Sequence, residues 1–127
     1  MIQAGIDEGA KLIAGGPDRP DAFPKGYYVK PTVFAEVTPE MTIAREEIFG
    51  PVLAIQTFRR FDEAITKANN TPYGLSGGVW TDKGAKVFRM TRSIRAGVIW
   101  ANTFNKFDPT SPFGGYKESG VGREGGL

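Results

Sequence analysis

The chain has 127 residues, of which 40% are hydrophobic and 24% charged, a composition typical of one globular domain and not of a disordered segment. Its 16 basic and 14 acidic residues leave a net charge of +2, so we expect no nucleic-acid partner. Cys and His are both absent, which excludes a thiolate nucleophile, an imidazole base, disulfides and a Cys/His zinc site, and we expect no bound metal.

Residues 1–51 are predicted to form a helix, a loop and an edge segment. Apolar residues recur at helical spacing over residues 2–13, and a Pro-rich loop follows over residues 17–26. The segment 27–34 is strand-like, but Pro31 interrupts it, which is typical of an edge strand or of a strand end.

Residues 52–102 are predicted to form a βαβαβ unit. The pattern predicts three apolar strands and two intervening helices with short connections: strands 52–58, 75–81 and 97–102, and helices 61–70 and 82–95. Asp62 is the candidate N-cap of the first of these helices. Strands that alternate with helices indicate the α/β class, with parallel pairing of the three strands in one sheet.

The tail, residues 103–127, has eight Gly or Pro among its 25 residues and is predicted to be irregular, with no further strand. A parallel sheet is normally covered on both faces. Three strands and two helices leave faces and edges uncovered, so we expect the chain to be an incomplete part of a larger domain.

No apolar run in the sequence approaches the roughly 20 residues of a membrane span. Met1 leads into Gln3, Asp7 and Glu8 instead of an apolar signal segment. We therefore expect a cytoplasmic protein with no membrane partner.

The stretch EEIFGP, residues 46–51, places two carboxylates directly before a predicted strand. A carboxylate beside such a turn can accept the two hydroxyls of a ribose, and a nearby aromatic ring can pack on a flat heterocycle. The alternative is a pair of solvated carboxylates, Glu46 and Glu47, beside a core Phe49.

Three other patterns carry weaker hypotheses. Basic residues recur every third position over residues 83–95, which fits either a phosphate-binding surface or a solvated helix face. Residues 120–125 match G-x-G-x-x-G, but a dinucleotide fingerprint needs a strand before it and a helix after it, and neither is predicted here. Phe113 and Tyr116 flank two glycines, which fits a close approach to a ligand or a surface turn with the aromatic rings in the core.

Three motifs in order and at matching separations resemble the NAD(P)-dependent aldehyde dehydrogenase superfamily. They are MTIAREEIFGPV (41–52), ANNTPYGLSGGVWT (68–81) and SPFGGYKESGVGREGG (111–126). The resemblance covers essentially the whole chain. It implies the C-terminal part of the catalytic domain, as an incomplete portion of a three-layer α/β architecture.

The resemblance also implies site residues by position. Glu47 resembles the ligand of the nicotinamide-side ribose, and Phe49 resembles the aromatic residue beside the nicotinamide ring. Asn105, Phe107 and Phe113 fall where the family lines its aldehyde tunnel. The parent enzyme would use NAD or NADP, with neither expected to bind this chain tightly.

The chain departs from the family because it lacks the residues that carry out the reaction. The family uses a Cys thiolate to attack the aldehyde and a Glu to activate water, and the resemblance implies that both lie upstream of the segment that Met1 begins. We therefore expect no catalytic residue in this chain. The function implied is a fragment of an enzyme that oxidises an aldehyde to a carboxylic acid, inactive when isolated, with the rest of the enzyme or a second copy as partner. The alternative is a non-catalytic module for nucleotide binding or subunit association.

Overall fold

A computed structural model describes residues 1–126, in which four helices and seven short strands form a mixed α/β structure. The α/β class predicted from the sequence is confirmed. These residues separate into two units, Met1–Arg59 and a second unit that begins at Arg60. Within the described residues, no helix has the length and apolar character needed to cross a membrane.

The first unit packs two short helices on a three-stranded sheet. Its elements are α1 Ile2–Asp7, β1 Lys11–Ala14, β2 Thr32–Ala35, α2 Thr42–Arg45 and β3 Val52–Ala54. β2 lies between an antiparallel β1 and a parallel β3. Phe34 is fully buried at the centre of the core, against Ala10, Val37 and Ile43. A Cβ on Gly5 of α1 would lie 3.0 Å from Ile43 Cδ1, so this glycine allows α1 to approach α2 closely.

Two predictions for the first unit were wrong in detail. The predicted helix 2–13 ends at Asp7, because Gly9 takes φ +89 and breaks the helical path. Leu12 then belongs to β1, where it pairs with Phe34. The strand around Pro31 begins at Thr32, as expected for a strand end. It is not an edge strand, because partners flank it on both sides.

The second unit contains two small sheets and two helices. Its elements are α3 Phe61–Asn69, β4 Tyr73–Gly74, β5 Ser76–Val79, α4 Gly84–Ser93, β6 Val98–Ala101 and β7 Tyr116–Lys117. β5 pairs in parallel with β6, and β4 pairs antiparallel with β7. Val79 and Trp100, on the parallel pair, are buried.

The predicted βαβαβ unit is present only in its second half. The parallel pair β5 and β6 with α4 between them in sequence is confirmed. The first predicted strand is shorter, and it pairs with β2 through Thr32–Val52 and Phe34–Ala54 and not with β5. The order of strands in the sequence does not show that β2, which comes earlier in the chain, is the parallel partner of Val52–Ala54.

The tail and the start of α3 also differ from the prediction. The tail contains β7, because the backbone of Tyr116 and Lys117 finds a partner in β4. Phe113 and Glu124 add an isolated antiparallel bridge. Arg60 is the N-cap of α3, and Asp62 lies in the first turn, where its charge favours the positive end of the helix dipole.

Candidate functional site

The acid–aromatic turn, defined as residues 46–49, connects α2 to the loop before β3. Glu46 and Glu47 are both exposed. Phe49 is 91% exposed and takes φ 54, in the left-handed region. The alternative of a core Phe49 is therefore wrong, since the ring projects away from the buried residues of the first unit.

Backbone bonds on both sides hold this turn. At its start the Glu46 N–H donates to the Thr42 carbonyl at 2.9 Å. After it, the Val52 N–H donates to the Gly50 carbonyl at 2.7 Å, and the Thr32 N–H donates to the Pro51 carbonyl at 2.8 Å. A left-handed conformation costs a non-glycine residue about 1–2 kcal/mol, and such strain often occurs at functional sites.

An aromatic ladder, defined as Trp80, Phe104, Trp100, Phe107 and Phe113, runs through the second unit. Successive ring centroids lie 6.5, 4.9, 5.5 and 5.0 Å apart, and the last three contacts are edge-to-face. The buried member, Trp100, donates its indole N–H to the Lys106 carbonyl at 2.8 Å. Phe107 is 57% exposed, so it is not a core residue.

A cavity of about 170 Å³ opens beside Trp100, Phe107 and Phe113 of the ladder. Its walls are mostly apolar, with three polar or charged side chains among them: Val98, Trp100, Phe107, Pro112 and Phe113, with Lys106, Asp108 and Ser111. The structure thus brings Phe107 and Phe113 together against one cavity. Such a cavity suits a small apolar group.

Asn105 lies between Phe104 and Phe107, two members of the ladder, in the chain. It is exposed and takes φ 58, a conformation that Asn tolerates better than most residues. Asn102 precedes it with φ 54, and its amide bonds both the N–H and the carbonyl of Thr81, at 2.9 and 3.0 Å. The segment that leads to Asn105 is therefore fixed at Asn102.

Asp108 orders the loop between Phe107 and Phe113. Its carboxylate accepts the Thr110 N–H at 3.0 Å and the Thr110 hydroxyl at 2.8 Å. These two bonds, with a weaker one from Ser111, lower the pKa of Asp108 below its ordinary value. The loop that carries the two rings is therefore held by an ionised carboxylate.

Lys117 and Asn69 attach the tail to the end of α3. Lys117 donates through Nζ to the Asn69 carbonyl at 3.3 Å and the Thr71 carbonyl at 2.9 Å. The Asn69 amide donates to the Ser93 carbonyl at 2.8 Å and accepts the Arg95 N–H at 2.7 Å. These contacts give Lys117 and Asn69 structural roles in this part of the chain.

Arg123 closes the tail on itself next to Phe113. Its Nη1 donates to the Gly115 carbonyl at 2.8 Å, and its guanidinium lies 4.5 Å from the centre of the Tyr116 ring. Phe113 and Glu124 exchange two backbone bonds of 2.7 Å. Sequence reasoning missed this bracing, because nothing in the residue pattern indicates which carbonyl Arg123 meets.

The weaker sequence patterns form no ligand site among the described residues. Two of the five basic residues in the period-three row are in ion pairs: Arg89 pairs with Asp62, and Lys83 pairs with Asp82 at 3.0 Å. The solvated-face alternative is the better fit. Over the described residues no helix follows the G-x-G-x-x-G match, and no group of three or more acidic side chains is arranged to hold a metal.

Comparison with known proteins identifies the family. The profile described as "Aldehyde dehydrogenase family" matches residues 1–127. The chain belongs to this family, and the α/β fold seen here is that of a partial domain of its members.

Individual relatives agree closely with the chain. It is 51% identical to a betaine aldehyde dehydrogenase of Rhizobium etli, over 99% of this chain and 26% of the relative. It is 50% identical to the mitochondrial benzaldehyde dehydrogenase of Antirrhinum majus, over 98% of this chain and 23% of that protein. A crystal structure of an aldehyde dehydrogenase from Mycobacterium tuberculosis, complexed with NAD+, superposes with a TM-score of 0.93 at 51% identity, over 98% of this chain and 26% of that one. The chain thus spans about a quarter of the length of the relatives it matches.

Proposed function

We propose that these residues act as part of an NAD-dependent aldehyde dehydrogenase that oxidises an aldehyde to a carboxylic acid. The observation that carries this proposal is the family match over residues 1–127, together with 51% identity to an enzyme complexed with NAD+. By the order of its motifs, the segment would belong to the C-terminal part of the catalytic domain.

The acid–aromatic turn fits one wall of a nicotinamide cofactor site. Glu47 supplies an exposed carboxylate with two acceptor oxygens for ribose hydroxyls, a charge-assisted interaction. Phe49 supplies an exposed ring that can lie against a flat heterocycle. When bound, NAD would accept the hydride removed from the aldehyde, while the turn would hold and orient the cofactor.

The aromatic ladder fits the wall of an aldehyde channel. Phe107 and Phe113 share an edge-to-face contact at 5.0 Å beside the small cavity, and Asn105 lies on the adjoining turn. Their role would be to exclude water and to select the aldehyde by shape. The relatives' own substrates range in name from betaine aldehyde to benzaldehyde, so the substrate of this protein is left at the level of aldehydes.

The reacting groups would come from outside these 127 residues. With no Cys and no His, the chain offers neither the nucleophile nor an imidazole base. Its partner would be the remainder of the enzyme or a second copy of the chain. The exposed apolar side chains Ile13, Leu53 and Phe58, each more than half exposed, are consistent with contact to further polypeptide.

A hybrid enzyme tests the proposal. The matching quarter of the Mycobacterium tuberculosis relative is replaced by residues 1–127, and NAD+ reduction is followed with a panel of aldehydes. We expect a folded hybrid that oxidises aldehydes with NAD+. A folded hybrid with no activity, beside an active parent relative prepared in parallel, would refute the proposed function.

Glu47→Gln in the hybrid tests the cofactor assignment. The change is nearly isosteric and replaces a charged acceptor by a neutral amide, so hydride transfer in a stopped-flow burst should slow by about tenfold or more while the melting temperature is retained. Glu46→Gln is the matched control, one residue away in the same exposed turn, and it should slow the burst less. An unchanged burst in Glu47→Gln would reject the ribose role.

A further inference from the structure

Glu8 joins the end of helix α1 to the start of helix α2. It is the C-cap residue of α1. One carboxylate oxygen accepts the Thr42 N–H at 2.6 Å, and the other accepts the Thr42 hydroxyl at 2.5 Å. Both oxygens of one carboxylate thus hold a single residue 34 positions further along the chain. Such charge-assisted bonds are stronger and more directional than neutral ones.

Helix α2 depends on this external support. It has four residues, and its N-cap Met41 makes no side-chain capping bond. A helix this short does not form on its own, because nucleation costs more than one turn returns. The first N–H groups of a helix need acceptors from elsewhere. Glu8 supplies one, and Ile43, buried in the core, fixes the other side of α2.

The same residue that Glu8 holds also begins the path to the proposed cofactor wall. The Thr42 carbonyl accepts the Glu46 N–H at 2.9 Å, and Glu46 is directly followed by Glu47. Every link from Glu8 to the acid–aromatic turn is therefore either a hydrogen bond or a peptide bond. A shift of Thr42 should therefore displace Glu47 as well.

We propose that Glu8 is a positioning residue for the acid–aromatic turn, acting through Thr42. Glu8 holds Thr42 by two hydrogen bonds, and through Thr42 it would set where Glu47 and Phe49 lie. The consequence for cofactor binding rests on the proposed function. The positioning itself does not, because it is a property of the first unit that can be measured without catalysis.

The hydrogen bonds from Thr42 give the interaction a pH dependence, which the neighbouring charges adjust. The bonds from Thr42 are the main cause that lowers the pKa of Glu8, and Arg45 on α2 adds to this, while Asp7 on α1 opposes it. A carboxylate whose pKa is lowered by folding contributes stability above its unfolded pKa and loses it as pH falls through the folded pKa. The interaction between Glu8 and Thr42 is therefore intact at neutral pH. It is lost only when acid protonates Glu8, at a pH below the ordinary pKa of Glu.

Amide hydrogen exchange on the full 127-residue chain tests the positioning. Glu8→Gln leaves one side-chain oxygen to accept from two donors, the N–H and the hydroxyl of Thr42. Thr42→Val removes only the hydroxyl donor. At neutral pH we expect the Glu46 amide to exchange about fivefold faster in Glu8→Gln, the size of one lost hydrogen bond, with shifted resonances at residues 46–49. Thr42→Val should give a smaller change in the same residues. Glu36→Gln is the matched control, since it removes another exposed carboxylate of the same unit, bonded to Lys11 at 3.2 Å.

The Ile55 amide separates positioning from general destabilisation. It donates to the Phe34 carbonyl at 2.9 Å in the sheet and should keep its protection in Glu8→Gln. As pH falls through the pKa of Glu8, the Glu46 protection of the wild-type chain should approach that of Glu8→Gln. Equal Glu46 protection in both chains at neutral pH, or a parallel loss at Ile55 in both Glu8→Gln and Thr42→Val, would overturn the proposal.

The hybrid enzyme adds a functional comparison. Glu8→Gln should raise the KM for NAD+ about fivefold while the KM for aldehyde stays near that of the unmodified hybrid. If the exchange result holds while the folded hybrid is inactive, the proposed function fails and the positioning stands; if only Glu47→Gln leaves the burst unchanged, the ribose role of Glu47 fails and the positioning stands. If Glu47→Gln slows the burst while the Glu46 exchange is unaffected by Glu8→Gln, the positioning fails alone.

Discussion

Gly97→Ala is expected to separate the tail from the start of β6. A Cβ on Gly97 would lie 1.6 Å from the Gly114 carbonyl oxygen and 2.8 Å from the Gly114 carbonyl carbon. Even a close C···O contact needs about 3.3 Å, so the two backbones would have to part by roughly 1.7 Å. Both atoms belong to backbone, so no side-chain rotation can relieve the overlap.

The cost of this change follows from overpacking. Inserting a methyl group into a packed site typically costs 1–3 kcal/mol, and a backbone–backbone overlap of this size belongs at the upper end, about 3 kcal/mol. The reduced freedom of Ala in the unfolded chain returns about 0.4–1 kcal/mol. We expect a net loss of about 2 kcal/mol in the free energy of unfolding. Because Gly114 adjoins Phe113, the contact between Phe113 and Phe107 should also loosen.

Urea unfolding followed by Trp fluorescence measures the loss. Trp80 and Trp100, the two Trp residues of the chain, both lie in the unit that contains Gly97. Gly84→Ala is the matched control, because nothing lies within 4 Å of its Cβ at the first residue of α4. The control should be slightly more stable than the wild-type chain, by up to about 1 kcal/mol. Coincident midpoints for Gly97→Ala and wild type would show that the close approach of the two backbones does not exist.

Three further predictions concern function and association. Phe107→Ala and Phe113→Ala in the hybrid enzyme should each change the preference between short and bulky aldehydes, measured as the ratio of their kcat/KM values, by a factor equivalent to about 1–3 kcal/mol. The KM for NAD+ should stay unchanged. Unchanged ratios with lower stability would mean that the rings only pack. The isolated chain should reduce no NAD+ or NADP+ with any aldehyde in a panel, and turnover that follows the chain through purification would contradict this. Sedimentation velocity over a range of concentrations should show self-association, since Leu53 and Ile13 are exposed on a small sheet; a single monomer species throughout, with a cooperative high-temperature melt, would contradict the expected association.

The sequence predicted those elements whose partners are close in the chain. Helix 61–70 was placed within one residue, and the parallel pair around α4 was found, because apolar spacing and short connections determine both. Strand 52–58 was given the wrong partner, because its true neighbour, β2, is separated from it by a loop and a helix. Local pattern does not carry the information about which of two available strands a third one will join.

The candidate site was predicted by residue type and not by conformation. The three motifs contain the candidates Glu47, Phe49 and Phe113, but no pattern indicated that Phe49 takes φ 54 or that Asn105 takes φ 58. For Asn105 the sequence offers a weak signal, since Asn tolerates this region. For an aromatic residue it offers none, because the conformation is imposed by what precedes and follows it.

The proposed cofactor-facing role of Phe49 would account for both its exposure and its left-handed conformation. Leaving a Phe side chain exposed forgoes about 1.5–3 kcal/mol of burial, and a left-handed conformation costs about 1–2 kcal/mol more. An unconstrained loop would relax both by turning the ring inward. It does not relax here, because the Thr42–Glu46 bond fixes the turn on one side and the Thr32–Pro51 bond fixes it on the other. The ring is thus placed by its backbone and not by its own packing, and in that arrangement a flat ligand would find the ring already oriented and would recover the burial that folding of this unit forgoes.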